Sequence, residues 1–250
     1  MKIYNGDCLE IMKDIDDESI NLILCDLPYG TTKCSWDIII PFDKLWEQYK
    51  RIIKFNGAIV LFASQPFTSQ LILSNINWFK YCWYWEKERL TNITQVKKRA
   101  GKTIEELCVF YNKQPTYNPQ MTIYTGKPRK NKIKNGTLGA LVDSNKMKNY
   151  EYQDNGLRYP TQLLKFNRDV LKSNLHQTQK PVALLENMIN TYTNIGDIVL
   201  DNTMGSGSTG IACINTNREF VGIELDENYF NIAKNRLENH IVKRDNDDSK

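Results

Sequence analysis

A chain of 250 residues that is 41% hydrophobic, 25% charged and 11% aromatic can fill one sizeable core, and its aromatic content argues against disorder. No apolar run reaches the ~20 residues of a membrane span, and the opening "MKIYNGDCLE" turns acidic too soon for a secretory leader. The net charge of +4 conceals a segregation: residues 87–150 hold fourteen Lys/Arg against four Asp/Glu, so that segment carries +10 and the remainder −6, the pattern of an acidic-leaning scaffold with a basic surface for a polyanion.

Residues 2–4 predict a short strand, and "DCLEIMKDI" predicts a helix with Leu9, Met12 and Ile15 at helical spacing. "INLILC" is apolar throughout, as strands covered on both faces are. Pro41 opens the next helix, where its missing N–H costs nothing. Leu45, Tyr49, Ile52 and Ile53 supply that helix's apolar face, and Gly57 is expected to cap its end. Then follow "AIVLFA" as a strand, "PFTSQLILSN" as a helix, and "WFKYCWYW" and "ELCVFYN" as strands. No clear helix separates those last two, so an antiparallel pair at the sheet edge is expected, with Trp83 and Trp85 as edge packing. From residue 113 to about 159 the periodicity fails, in a polar stretch rich in Lys, Asn, Gly and Tyr that reads as an insertion. A helix begins near Pro181, carrying Leu184, Leu185, Met188, Ile189 and Tyr192. "DIVLD", "STGIACINT", "EFVGIEL" and "NYFNIAKNRLENH" complete a strand–helix–strand–helix ending.

Such alternation implies an α/β fold with a mostly parallel sheet of seven strands. It divides the chain into a first half (1–112), an inserted basic region (113–160) and a second half (161–250) of the same domain. The six cysteines form no C-x-x-C pair, and the two histidines belong to no H-E-x-x-H pattern. They read as reduced core thiols, with no metal site.

"DNTMGSGSTG", residues 201–210, follows a strand and opens a helix. Gly205, Gly207 and Gly210 form G-x-G-x-x-G, which lets the backbone turn tightly and a ligand approach the main chain. Glu224 closes the next strand, where a carboxylate can accept hydrogen bonds from ribose hydroxyls. A nicotinamide or flavin site fits these features too. Two observations weigh against a dinucleotide. Its loop belongs on the first strand of a sheet, whereas here only about fifty residues follow. An acid, Asp201, also stands four residues before the first glycine. That D-x-x-x-G-x-G arrangement resembles the S-adenosylmethionine loop of methyltransferases, which implies Asp201 near the cationic methionine part of the cofactor.

"LILCDLPYG", residues 22–30, ends a buried strand on Asp26. Strands of an open α/β sheet deliver functional residues at their carboxyl ends, so the Asp26 carboxylate is expected in the crevice. A methyl donor over the glycine loop would need an amine with its lone pair aimed at the methyl carbon. Exocyclic amines of adenine and cytosine are poor nucleophiles because that pair is delocalised into the ring. Hydrogen bonds from the amine to Asp26 and to the Leu27 carbonyl favour a pyramidal nitrogen, by positioning and preorganised electrostatics alone. Pro28 stiffens that carbonyl, and Tyr29 offers a ring for stacking. A base must leave the duplex at a cost of a few kcal/mol, and stacking recovers ~1–3 kcal/mol.

"DLPYG" resembles the (D/N/S)-P-P-Y motif of amino-group DNA methyltransferases, with Leu27 in place of the first proline. The order, catalytic motif before cofactor loop, is similar to the β group of DNA adenine-N6 methyltransferases of bacteria and phages. "NGDCLE" resembles that group's N-terminal motif, which implies Asp7 near the cofactor's adenine. "HQTQKP", residues 176–181, resembles its H-P-T-Q-K-P motif, which implies Thr178 and Lys180 at the methionine end. The resemblance spans nearly the whole chain outside 113–159.

It implies a Rossmann-like S-adenosylmethionine-dependent methyltransferase fold, helices on both faces and a circularly permuted motif order. Catalysis falls to Asp26, Leu27, Pro28 and Tyr29. The cofactor falls to Asp7, Asp201, Met204, Gly205, Ser206, Gly207, Ser208, Thr209 and Glu224 with Thr178 and Lys180. The expected activity is site-specific methylation of adenine N6 in double-stranded DNA, in a bacterial cytoplasm, with a homodimer left open and no membrane partner. Two clusters are expected on DNA: Lys97, Lys98, Arg99 and Lys102, and Lys127, Arg129, Lys130, Lys132 and Lys134. The alternatives are cytosine-N4 methylation, or N-methylation of a protein or small molecule. Cytosine-C5 chemistry needs a nucleophilic cysteine after a proline, and the chain has no Pro–Cys dipeptide.

Overall fold

The run Ile20–Asp26 is apolar because both its faces are covered: Leu22 and Leu24 point into one core, Ile23 and Cys25 into another, as the period of two in a strand requires. The structure is a computed structural model and describes residues 1–30, 37–126, 155–169 and 179–248. Its elements in chain order are β1 (Lys2–Asn5), α1 (Cys8–Ile11), β2 (Ile20–Asp26), α2 (Phe42–Ile52), β3 (Ile53–Ala63), α3 (Phe67–Ser74), β4 (Phe79–Glu86) and β5 (Ile104–Phe110). There follow β6 (Thr122–Ile123), β7 (Leu157–Arg158), β8 (Leu163–Lys165), α4 (Val182–Tyr192), β9 (Ile198–Asp201), α5 (Ser208–Asn215), β10 (Glu219–Glu224) and α6 (Glu227–Asp248).

Eight strands form one sheet in the order β1-β10-β9-β2-β3-β5-β4-β8. Neighbours run parallel except where β5 lies antiparallel between β3 and β4. Side chains of α4, α5 and α6 cover one face: Leu185, Met188, Ile211, Ala212 and Leu237 meet Leu24, Val60 and Val109. The other face receives α2 and α3 through Leu45, Tyr49, Ile52, Phe67 and Leu71 against Ile23, Ile59 and Leu61. Helices on both faces of a largely parallel sheet are the expected architecture.

Three details depart from the sequence reading. An eighth strand, β8, extends the expected seven; its three residues pair with Tyr84, Trp85 and Glu86 and are too few to show a period. It covers β4, so Trp83 and Trp85 are buried core residues, 4% and 1% exposed, with the Trp85 indole N–H donating to the Phe166 carbonyl at 2.8 Å. Gly57 caps no helix: α2 ends at Ile52, and Gly57 lies within β3. A Cβ there would sit 2.9 Å from the Asn21 carbonyl oxygen, where the β2–β3 register shifts, so glycine permits the close approach of backbones at a bulge.

The chain forms two compact units. The sheet and its helices lie in the first, Met1–Asn118 with Thr161–Lys250; the second is Pro119–Pro160. Within the second, β6 and β7 pair antiparallel, and the Arg158 guanidinium stacks 4.1 Å over the Tyr124 ring. Among the described residues no helix is long and apolar enough to cross a membrane, and no His/Cys/Asp/Glu group could hold a metal ion.

Candidate active site

Asp26 ends β2 and Asp201 ends β9, and these strands are neighbours. From β2 the chain continues to β3 on one side, and from β9 to β10 on the other. Ligand crevices form where connections diverge in this way. A cavity of about 790 Å³ opens there, lined by both carboxylates together with Asp7, Leu27, Pro28, Tyr29, Lys180, Met204, Gly205, Ser206, Ser208, Thr209 and Glu224.

The "DLPYG" stretch is held by several hydrogen bonds. The Tyr29 hydroxyl donates to Asp26 Oδ1 at 2.6 Å and lies 3.2 Å from Glu105 Oε1. Burial, then the charges of Asp26 and Glu105, push the Tyr29 phenol well above its ordinary pKa, so it remains a donor. Its ring packs on Phe67, 5.0 Å between centroids, which covers one of the faces expected to stack a base. Gly30, in the left-handed region at φ +65°, donates its N–H to Asp37 Oδ1 at 2.8 Å and closes the turn. The Lys180 ammonium lies 2.7 Å from Asp26 Oδ2 and 2.7 Å from Glu105 Oε1. Lys87 holds Glu105 Oε2 at 2.5 Å.

Burial would raise the pKa of Glu105, but Lys180 and Lys87 bring it down to about 2. Burial would lower that of Lys180, but Asp26 and Glu105 raise it above the usual lysine value. Buried charges persist where they are paired in this manner.

The loop after β9 is equally constrained. Asp201 Oδ1 accepts from the Thr203 N–H at 3.1 Å, and Oδ2 accepts from the Thr209 hydroxyl at 2.6 Å. Burial nevertheless lifts Asp201 to about 7. The Thr203 hydroxyl donates to the Asp26 main-chain carbonyl at 3.1 Å. Beneath the loop, Asn202 Oδ1 accepts from the Cys25 thiol at 2.9 Å and the Tyr49 hydroxyl at 2.6 Å, and its Nδ2 donates to Cys8 Sγ at 3.4 Å. These two core thiols are thus a polar seat for the loop. Glu224, raised by burial, accepts from the N–H groups of Gly205 at 2.8 Å and Asp226 at 2.9 Å. Asp7 caps α1, accepting from the Leu9 N–H at 2.7 Å.

The sequence-derived candidates divide unequally. Gly207 does not line the cavity: φ is +78°, and a Cβ there would lie 3.2 Å from Ala233 Cβ on α6. The glycine leaves room for the packing of α6. Gly205, at φ +51° with nothing within 4 Å of a virtual Cβ, is the glycine that faces ligand space. Lys180, expected at the methionine end of a cofactor, lines the cavity and lies 2.7 Å from Asp26 Oδ2. Lys97, Lys98 and Arg99 stand exposed between β4 and β5, whereas Lys102 is half-buried and donates to the Ser64 hydroxyl. His176, Thr178, Lys127, Arg129, Lys130, Lys132 and Lys134 lie outside the described residues. Glu105 and Lys87 belong to the site although no sequence motif marks them. In "IEEL" two adjacent acids conceal which one alternation turns inward, and only β4 and β5 pairing shows it.

Gln179 is also new to the site. It is 7% exposed, lines the cavity, and its Oε1 has no hydrogen-bond partner among the described residues. A buried acceptor without a partner is uncommon and fits a ligand carrying N–H or O–H donors. Together with the open space at Gly205 and the carboxylates of Glu224, Asp201 and Asp26 in the cavity wall, it suits a nucleoside ligand with a cationic tail.

Known proteins resemble this chain along nearly its whole length. The sequence profile of a family described as DNA methylase matches residues 20–235. The DNA adenine methyltransferase YhdJ of Escherichia coli (strain K12) is 30% identical over 253 residues, covering 94% of this chain and 82% of that protein. The type II methyltransferase M.HindIII of Haemophilus influenzae is 25% identical and 94% of each chain is covered. Among solved structures, the M1.HpyAVI–SAM complex is similar at a TM-score of 0.59 and 26% identity, covering 94% of this chain and 98% of that one. The cytosine-N4-specific PvuII DNA methyltransferase shares the fold, with a TM-score of 0.67 at 17% identity over 93% of this chain and 84% of that one.

Proposed function

The chain belongs to the DNA methylase family, and we propose that it methylates the N6 amine of adenine in double-stranded DNA with S-adenosylmethionine as donor. One observation carries the reading. The Asp26 carboxylate, at the end of β2, shares a cavity with the loop after β9, and Thr203 ties the two together.

S-adenosylmethionine, when bound, supplies an electrophilic methyl group on a cationic sulfur. Glu224 and Gln179 offer acceptors for its hydroxyl and N–H groups, and Asp201 and Asp26 offer negative charge to its cationic end. Asp26 accepts one N–H of the flipped amine and the Leu27 carbonyl the other. With both protons held, the nitrogen lone pair projects toward the methyl carbon. With the methyl group supplied by the bound donor, the amine would gain the methyl and give up one of its protons to solvent while Asp26 and the Leu27 carbonyl hold it in place. The residues need only orient and stabilise. An acid at the first position of "DLPY" favours adenine, since serine is the more familiar residue for cytosine N4. The basic side chains Lys97, Lys98 and Arg99 would meet phosphates, and the region 113–160 would read base edges.

Methylome sequencing of DNA from cells expressing the parent or Asp26→Ala tests this. N6-methyladenine at one recurrent short sequence, absent with the variant, is the expected result. Methylation of cytosine N4 would move the substrate to the alternative base. DNA without modification in both strains would overturn the reading.

A further inference from the structure

Asp26 is the acceptor for the target amine, yet both its oxygens already hold donors: Tyr29 on Oδ1 and Lys180 on Oδ2. Both donors also reach a single atom, Glu105 Oε1, at 3.2 and 2.7 Å. The four groups therefore close a ring, Asp26–Lys180–Glu105–Tyr29. Lys87 fastens the far oxygen of Glu105. Glu105 and Lys180 side chains are 7% and 11% exposed. The two ammonium groups rest on aromatic faces, Lys180 over Phe62 at 5.0 Å and Lys87 over Trp85 at 4.7 Å.

We propose that Glu105 is a positioning residue for methyl transfer: by anchoring Lys180 and Tyr29 it fixes the Asp26 carboxylate and keeps Lys180 from claiming the oxygen the target amine needs. The inference rests on the function proposed above and concerns the same site. The ring holds two carboxylates, and with Lys87 it holds two ammonium groups, so the buried cluster is neutral. Charges in a poorly solvated site interact strongly. Deleting the Glu105 charge leaves Lys180 with Asp26 as its sole counter-ion. The ammonium then closes on Asp26 and competes with the incoming N–H group. With Glu105 present, Lys180 shares its protons between two acids and can yield Oδ2 while staying paired. A carboxylate can accept at about four lone-pair sites, so Asp26 retains capacity for the amine once Lys180 leans toward Glu105.

The test uses the full chain, S-adenosylmethionine and duplexes carrying the site found by methylome sequencing. Glu105→Gln should lower kcat by roughly ten- to hundredfold, the range for a lost hydrogen bond to a charged group. KM for cofactor and DNA should stay within about threefold. Glu105→Asp should recover part of that loss. Glu105→Gln could also fail to fold with Lys87 left unpaired. The charge-balanced Glu105→Gln/Lys87→Met variant removes that difficulty and should be just as slow. In a double-mutant cycle, Glu105→Gln and Lys180→Met should be strongly non-additive, because one acts through the other. Additive losses, or a folded charge-balanced variant with parental kcat, would overturn the inference. A parent enzyme that methylates no DNA would overturn the proposed function instead, so the two failures are distinguishable.

Discussion

The Tyr29 hydroxyl donates to Asp26 Oδ1 at 2.6 Å, so the aromatic of the "DLPYG" stretch acts on the carboxylate through its oxygen, besides the base stacking proposed for its ring. From stacking alone, Tyr29→Phe would be nearly silent. The hydrogen bond changes that expectation: loss of a donor to a half-buried charged acceptor should slow methyl transfer roughly ten- to hundredfold. Single-turnover rates for Tyr29→Phe and Tyr29→Ala check this. Equal activity of the parent and Tyr29→Phe would return Tyr29 to stacking.

Removal of the acceptor itself should be more severe. Asp26→Ala should reduce kcat by at least ~10²–10³-fold, the scale for one preorganised group at a reacting centre. Cofactor affinity, measured by calorimetry, should stay close to that of the parent.

The two loop glycines should separate by phenotype. Gly205→Val fills ligand space and should weaken S-adenosylmethionine binding at least about tenfold with a folded protein. Gly207→Ala places a methyl against Ala233 with a positive φ and should cost about 1–2 kcal/mol of stability. Its thermal midpoint falls, while cofactor affinity of the folded fraction holds. Calorimetry and thermal melts distinguish the two.

Asp201 gives a pH signature. Its folded-state pKa of about 7 lies above the ordinary 3.8, so between those values the folded chain holds a proton that the unfolded chain has released. Its contribution to stability therefore falls as pH rises through that window. The buried Glu224, also raised, acts in the same direction. Glu105, lowered to about 2, has the opposite sign, and its contribution is lost only as pH falls below the ordinary carboxylate range. The ligand-free protein should therefore melt at lower temperature at pH 8 than at pH 6. A cationic cofactor favours ionised Asp201, so its affinity should rise over that interval by no more than about tenfold per unit. Melts with and without S-adenosylmethionine read both effects.

Exchange of Lys97, Lys98 and Arg99 for glutamine should weaken specific and random duplexes by similar factors. The slope of log affinity against log salt should flatten by about one unit for each phosphate that is no longer neutralised. Cofactor affinity should not move. Weakening confined to the target sequence would make these side chains base readers.

Much of this was legible in the linear sequence. Asp26 and Glu224 announced themselves because each terminates an apolar run, and an acid there has nowhere to go but the crevice. Asp201 was legible for the same reason. What stayed hidden depends on pairing partners distant in sequence. Glu105 faces inward only because β5 slots between β3 and β4. Lys180 meets Asp26 across more than 150 positions. Gly207 matches a ligand-loop pattern, yet its constraint is Ala233 on α6. Motif spacing encodes local turns; it does not encode which neighbour a turn is pressed against.

The interleaved strand order also bears on how the protein is made. β9 and β10 sit between β1 and β2, so the first strands synthesised wait for the last. On the ribosome β2 can pair with β3 early, but its other edge has no partner until β9 emerges, after all of residues 27–197. An unpaired apolar edge of that kind invites association with other chains. Nascent chains stalled before residue 198 should accordingly recruit chaperones and stay protease-sensitive, and the crevice should appear only once β9 and the loop after it have emerged.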